Sequence, residues 1–321
     1  MTTYKEIFGK YVKNYSSDPS SDIEGQVWYN STTGVFKTNL AGAAAWASGG
    51  NLGTARRTPG GAGTQTAGLA FAGFTTAVTA ATEEYDGSTW TTGGTMSTAR
   101  YVIAGCGTQT AGLGFGGYTA TVRVADTEEY DGSAWTGGGN LSTARYGLAG
   151  AGIQTAGLAF GGKTTVSVNN TEEYDGSAWT AGGNLGTARQ YLAGCGVQTL
   201  ALGFGGQTTA AVNNTEEYDG SAWAGGGNLN TARYYLGGCG TQTAGLGFGG
   251  FITAAPGVAN TEEYNGSSWS NSTNLSTARY GLAGAGIQTA GLAIGGITTA
   301  VTAATEEYTD PVFTTKTITT S

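Results

Sequence analysis

Arginine and glutamate stand at fixed places in this sequence, six times over. Each TAR triplet ends in Arg56, Arg100, Arg145, Arg189, Arg233 or Arg279, and TEEY begins at Thr82, Thr127, Thr171, Thr215, Thr261 and Thr305. Six arginines around one axis could hold an anion, but like charges repel unless each is paired. Adjacent strand residues point to opposite faces. One glutamate of each pair, such as Glu172 or Glu173, can therefore meet an arginine between strands, and structural Arg–Glu pairing is the expectation. Paired carboxylates occur only as the Glu-Glu of TEEY, repeated six times, whereas catalytic residues break a repeat's symmetry, so no catalytic residue is expected and the chain reads as non-enzymatic. Each Asp-Gly-Ser turn offers a single carboxylate, whereas a calcium loop needs several converging oxygens. Histidine is absent, which removes imidazole bases and ligands. Cys106, Cys195 and Cys239 fall in register with Ala62, Ala151 and Ala285 and read as small packing residues. A reactive thiol would need a nearby base or second ligand. No metal and no cofactor is expected.

Composition narrows the partners. Glycine is 59 of 321 residues, charged residues are 11% and aromatic residues also 11%, too aromatic and too poorly charged for a disordered chain. Four prolines exclude collagen. No apolar stretch approaches the roughly 18 residues of a membrane helix, so no membrane insertion is expected. A net charge of -8 argues against nucleic acid and anionic membranes. The opening MTTYKEIFGKYVKNY lacks the basic-then-apolar layout of a signal peptide.

The elements that must position these residues follow from the repeat. The TEEY motifs are spaced 45, 44, 44, 46 and 44 residues apart, and Trp46, Trp90, Trp135, Trp179, Trp223 and Trp269 each precede a TAR arginine by ten. A module reads YGLAGAGIQT, AGLAFGG, TTVSVNNTEEYDG, SAWTAGGNLGTAR. It has no helical periodicity, and glycine is too dense for helices. Short runs bounded by Gly, Asn, Asp and Ser read as four strands, with Asp-Gly turning the third into the fourth. Four strands repeated six times predict an all-β fold, a six-bladed β-propeller. The order of arginine, small-residue strand, apolar strand ending in Gly-Gly, Glu-Tyr-Asp and tryptophan resembles the kelch repeat over residues 46 to 321. The resemblance implies a binding platform. Kelch-like copper oxidases use His and a Tyr-Cys pair, and this chain has no His. The repeats begin in a fourth strand at Trp46 and end after a third strand at Tyr308, so an N-terminal strand is expected to complete the sixth blade. The propeller is placed at 46–308, an attachment segment at 1–45 and a tail at 309–321.

All length variation falls between Gly-Gly and TEEY, in segments of 8, 9, 8, 8, 10 and 8 residues. Their first residues are Phe74, Tyr118, Lys163, Gln207, Phe251 and Ile297, and Arg123 lies in the second. Varied loops on a fixed scaffold can carry recognition. The kelch resemblance puts these loops on one face near the channel mouth. Aromatic and polar groups there suit a sugar or a protein loop.

Residues 1 to 45 lie outside the repeat. Tyr4, Ile7, Phe8, Tyr11, Val12 and Tyr15 recur at helical spacing, which predicts a short N-terminal helix ending near Asn14 to Ser17 with a partner-docking stripe. VWYN and VFKT around STTG predict a hairpin. The string EGQVWYNSTTGVFK resembles a module near the start of phage tail-fibre and virion-associated proteins. That resemblance implies a virion structural protein of tail-fibre, head-fibre or decoration type, assembled in the host cytoplasm. Residues 1–45 would dock on other virion proteins, and the propeller would adhere to a host-surface polysaccharide or protein. A cellular or secreted kelch-type scaffold or lectin is the alternative. A homo-oligomer stays open, although no heptad stretch would drive a trimer.

Overall fold

Strands account for every regular element among the described residues of the computed structural model, which are 12–19, 26–253, 257–310 and 313–318. In chain order they begin with β1 (Lys13–Tyr15), β2 (Val27–Asn30), β3 (Val35–Ala41) and β4 (Ala45–Ser48). The repeats supply β5 (Gly60–Gly63), β6 (Gly68–Phe71), β7 (Thr82–Tyr85), β8 (Trp90–Thr92), β9 (Ala104–Gly107), β10 (Gly112–Phe115), β11 (Thr127–Tyr130), β12 (Trp135–Gly137), β13 (Ala149–Ile153), β14 (Ala156–Phe160), β15 (Thr171–Tyr174) and β16 (Trp179–Ala181). They continue as β17 (Ala193–Val197), β18 (Leu200–Phe204), β19 (Thr215–Tyr218), β20 (Trp223–Gly225), β21 (Gly237–Gly240), β22 (Gly245–Phe248), β23 (Thr261–Tyr264), β24 (Trp269–Ser272), β25 (Ala283–Ile287), β26 (Ala290–Ile294) and β27 (Thr305–Thr309). The last strand is β28 (Phe313–Thr317).

Residues 46–309 form one compact unit of six four-stranded sheets, an all-β, propeller-like arrangement. Five sheets are consecutive meanders, β5–β8 through β21–β24, and the sixth is β25-β26-β27-β4. The strand around Trp46 thus stands where the sixth repeat has no fourth strand of its own. Within a sheet the burial follows the residue types. The small-residue first strands alternate buried and half-buried positions, as in β9. The second strands, such as GLAF in β6, are buried on both faces, so they read as unbroken apolar runs. The apolar clusters straddle sheets: Phe71 of the first packs with Tyr130 and Trp135 of the second.

Polar side chains join each sheet to the next in the same way six times. Each strand-four tryptophan donates its indole N–H to the TEEY threonine of the preceding sheet at 2.9–3.0 Å, and Trp46 follows the rule by reaching Thr261. Each TEEY tyrosine donates to the second glutamate of the preceding sheet: Tyr130 to Glu84, Tyr174 to Glu129, Tyr218 to Glu173, Tyr264 to Glu217 and Tyr308 to Glu263. Tyr85, in the first sheet, donates to Glu307 of the sixth. Burial, aided by the glutamate, pushes the phenol of Tyr85, Tyr130, Tyr174, Tyr218 and Tyr264 up to about 12. The glutamine of each first turn, for example Gln154, binds two carbonyls of the preceding sheet at 2.6–3.2 Å. First strands crowd one another so closely that a Cβ on Gly284 would sit 2.4 Å from the Gly238 carbonyl oxygen, which explains glycine there.

Residues 1–45 and 310–321 make up the second unit, whose sheet has the order β1-β2-β3-β28. The expected hairpin is present: β2 and β3 pair with Trp28 opposite Lys37. The segment expected as a tail supplies β28 to β3. Asp18 gathers the sheet's polar groups, accepting from Lys37 at 2.7 Å, Asn30 at 2.8 Å and Trp28 at 3.2 Å. Those bonds, Lys37 foremost, hold its carboxyl below the usual range.

The helix expected to end near Asn14–Ser17 is corrected. Lys13–Tyr15 is a strand paired in parallel with Trp28–Asn30, and no helix occurs among the described residues. A short helix is marginal in water, while the open edge of β2 gives this backbone hydrogen-bond partners. Tyr15 therefore belongs to a strand, and Tyr4, Ile7, Phe8 and Tyr11 lie outside the described residues.

Candidate binding face

The antiparallel order puts the first-to-second and third-to-fourth turns at one edge of each sheet. The varied loops and the TAR segments share the other edge. The arginines fix that second edge. Each TAR arginine is buried and pairs with the first TEEY glutamate of its own repeat at 2.5–3.2 Å. The glutamate's other oxygen takes a backbone N–H just after the GGNL-type turn, as Glu172 does from Ser142 at 2.8 Å. Nη1 of every one of these arginines binds the carbonyl just before TEEY at 2.6–2.8 Å. In Arg56, Arg145, Arg189 and Arg233 it also binds a carbonyl of the Gly-Gly position. In those four repeats the guanidinium thus holds both feet of the varied loop. Burial pulls each arginine's pKa down and its glutamate draws it back, for example Arg145 with Glu172. Structural Arg–Glu pairing is what the geometry has, and these arginines do not open to solvent.

Two residues past each arginine the backbone turns left-handed. Thr58, Val102, Gly147, Tyr191, Tyr235 and Gly281 have φ between 48° and 63°. A left-handed threonine or valine is unfavourable in isolation. The compensation is a cyclic run of backbone bonds: Thr58 N–H donates to Gly281, Val102 to Thr58, Gly147 to Val102, Tyr191 to Gly147, Tyr235 to Tyr191 and Gly281 to Tyr235, at 2.6–3.1 Å. Behind this belt lies a collar of Pro59, Ile103, Leu148, Leu192, Leu236 and Leu282. It lines both a cavity of about 90 Å³ on the belt side and one of about 100 Å³ among the glycines and alanines of the first strands. Tyr191 and Tyr235 stack over the belt-side cavity with centroids 4.0 Å apart. Burial, with the neighbouring tyrosines a lesser cause, pushes the Tyr191 phenol up to about 12 and raises that of Tyr235 as well.

Beside the belt runs an arc of rings. Phe74, Tyr101, Tyr118 and Tyr146 follow at centroid spacings of 5.5, 5.9 and 5.2 Å, and Tyr191 lies 6.2 Å from Tyr146. Tyr234 is 6.2 Å from Tyr191, Phe251 is 5.1 Å from Tyr234, and Tyr280 is 5.1 Å from Phe251. The six sequence-selected loop residues Phe74, Tyr118, Lys163, Gln207, Phe251 and Ile297 share one register position. Each forms a backbone bridge to the residue after the TAR arginine: Arg57, Tyr101, Tyr146, Gln190, Tyr234 and Tyr280 in turn. All six are half-buried, and Arg123, bridged to Tyr118, is exposed. Phe74, Tyr118 and Phe251 enter the arc. Lys163, Gln207 and Ile297 hold the same register position in their own repeats, and Gln207 accepts from Gln190 at 3.3 Å.

Sequence reasoning centred on the loops missed Tyr101, Tyr146, Tyr191, Tyr234, Tyr235 and Tyr280. Their signal is visible in TARY, TARQY and TARYY, directly after the invariant arginine. Cys106, Cys195 and Cys239 are buried in first strands, and burial pushes Cys106 and Cys239 up to about 12 and Cys195 well up as well. Such thiols pack rather than react. No group of three or more metal-ligating side chains occurs among the described residues. No protein-family model matches this sequence, and no curated protein matches it.

Proposed function

We propose that residues 46–309 are a six-bladed, kelch-like β-propeller closed by β4, and that its aromatic face is an adhesive surface for glycans. Three facts support closure. The sixth sheet uses β4 as its fourth strand, Tyr85 reaches back to Glu307, and the backbone belt runs from Gly281 to Thr58 without a gap. The observation that carries the binding role is the arc of phenylalanine and tyrosine rings on one face. Sugar rings present apolar C–H faces and hydroxyl edges, and a tyrosine answers both with its ring and its polar tip. The carboxylates of the repeats are engaged in scaffold bonds, which favours binding over catalysis.

On this reading the chain is a non-enzymatic phage virion protein of fibre or decoration type. Its N-terminal unit attaches to other virion proteins, and the propeller faces a host-surface polysaccharide. The resemblance of EGQVWYNSTTGVFK to virion modules supports that assignment, and the hairpin it encodes is the centre of the β1-β2-β3-β28 sheet. Peptide mass spectrometry on purified particles and on the soluble lysate tests it. Recovery in particles at a fixed ratio to the other virion proteins is expected. Recovery only in the soluble fraction would overturn the virion reading in favour of a cellular kelch-type scaffold.

A further inference from the structure

The net charge of -8 conceals a segregation of charge within the repeat unit. Between residues 46 and 309 there are nine cationic side chains, and six are the buried TAR arginines. The other three are Arg57, Arg123 and Lys163, all at the edge that carries the aromatic arc. None of the three makes an ion pair among the described residues. The opposite edge carries the aspartates of the third turns, Asp86, Asp131, Asp175 and Asp219. One acid, Asp126, stands at the foot of a rim loop, where its carboxylate accepts from Thr98 at 3.3 Å.

The three cations fall in the first, second and third repeats, and each has an aromatic neighbour. The Arg57 guanidinium lies over the Phe74 ring at 4.7 Å. Arg123 is bridged to Tyr118, and Lys163 to Tyr146. Phe74, Tyr101, Tyr118 and Tyr146 are the contiguous stretch of the arc that these cations flank. In the fourth to sixth repeats the matching positions hold Gln190, Gln207, Tyr234, Phe251, Tyr280 and Ile297, none charged. A net-negative protein that leaves its unpaired cations on one ring-lined strip, with the turn aspartates at the other edge and Asp126 the one acid beside the strip, is complementary to an anionic chain of flat units.

We infer that the strip from Arg57 to Lys163 binds an acidic polysaccharide, with sugar rings on the aromatic faces and carboxylate or sulfate groups on Arg57, Arg123 and Lys163. Guanidinium groups match such oxyanions bidentately. The inference rests on the glycan-adhesion reading and sharpens it to one chemical class.

The test measures binding of the full chain at low and high salt to polygalacturonate, hyaluronan and dextran sulfate. Fully methyl-esterified polygalacturonate and dextran serve as neutral counterparts, and a single-stranded oligonucleotide is included. The expected result is binding to at least one acidic polysaccharide, at least tenfold weaker binding to its neutral counterpart, and weakening by salt. The variant R57Q/R123Q/K163Q should lose at least tenfold in affinity and most of the salt dependence while unfolding at the wild-type temperature. R123Q alone, at an exposed position, should lose a smaller part and covers the case in which the triple variant misfolds. Equal binding to acidic and neutral polysaccharides, unchanged in the variants, would overturn the anionic assignment and leave glycan adhesion standing. Binding to the oligonucleotide alone, or to nothing tested, would overturn both.

Discussion

Between the sheets, the six repeats put the same side chain at the same place. Tryptophan meets threonine, tyrosine meets glutamate, and glutamine meets two carbonyls in each of the six sheet pairs. At the rim, one register position holds Phe74, Tyr118, Lys163, Gln207, Phe251 and Ile297. The contrast has a physical source. An interior residue has a partner in the next sheet with fixed donor and acceptor geometry, so a change strands a buried polar group at a cost of about 1–3 kcal/mol. A rim residue contributes its backbone to the bridge and leaves its side chain half in solvent. Its identity is free to vary as long as the arginine below holds the loop's end before TEEY, as all six arginines do.

Breaking the interior should therefore cost far more than altering the rim. The largest effect is expected for Glu172→Ala. It leaves the Arg145 guanidinium buried without its counter-charge, and the expected loss is about 3–5 kcal/mol in urea unfolding. A loss below about 1 kcal/mol would mean that the Arg–Glu pairs are not what holds the loops. Trp46→Ala comes next. Trp46 packs against Phe248 at 5.0 Å and Tyr308 at 5.1 Å and binds Thr261. Its removal should cost about 3 kcal/mol, close to the cost of Trp179→Ala inside the run of repeats. A much smaller cost at Trp46 would show that β4 does not bind the sixth sheet into the unit.

Alkali should loosen the buried phenols without mutation, those between the sheets together with Tyr191 and Tyr235 of the face. The interior phenols of Tyr85, Tyr130, Tyr174, Tyr218 and Tyr264 titrate near 12 when folded and near 10 when unfolded. Between those values the unfolded chain has released protons that the folded chain still holds, so stability falls as pH rises. The melting temperature should change little from pH 8 to 9.5 and drop steeply from 10 to 12. A flat profile to pH 12 would contradict the buried Tyr–Glu bonds. The smallest effect is expected at the rim. Tyr118→Ala or Phe251→Ala should cost about 1 kcal/mol or less, read as a shift of about 4 °C or less in a unit of this size.

What the sequence made legible follows the same division. Six copies of TAR, TEEY and tryptophan in one register carried the four-strand repeat, the Arg–Glu pairing and the role of the Trp46 strand, because each is a property of the repeat itself. The cysteines were readable from their register with Ala62, Ala151 and Ala285. The aromatic arc was only half visible. The loops supplied Phe74, Tyr118 and Phe251, but their ring partners come from residues such as Tyr101 and Tyr234, brought alongside by a backbone bridge that no spacing announces. The left-handed turn that stacks Tyr191 on Tyr235 is likewise set by the cyclic belt, not by local preference. Around Lys13–Tyr15 the helical spacing misled. Pairing with β2, fifteen residues on, outweighed a local pattern with too few turns to sustain a helix.

The central claim is that the invariant interior only supports, while the varied aromatic rim binds. Its most direct test pairs two readings on one protein: glycan-array binding and thermal unfolding of the wild type and of Phe74→Ala/Tyr118→Ala/Phe251→Ala. The account predicts that the wild type binds at least one array glycan, and that the triple variant binds it at least tenfold more weakly. Its melting temperature should stay within about 10 °C of the wild type. Binding unchanged in the triple variant, or a wild type that binds no glycan, would contradict it.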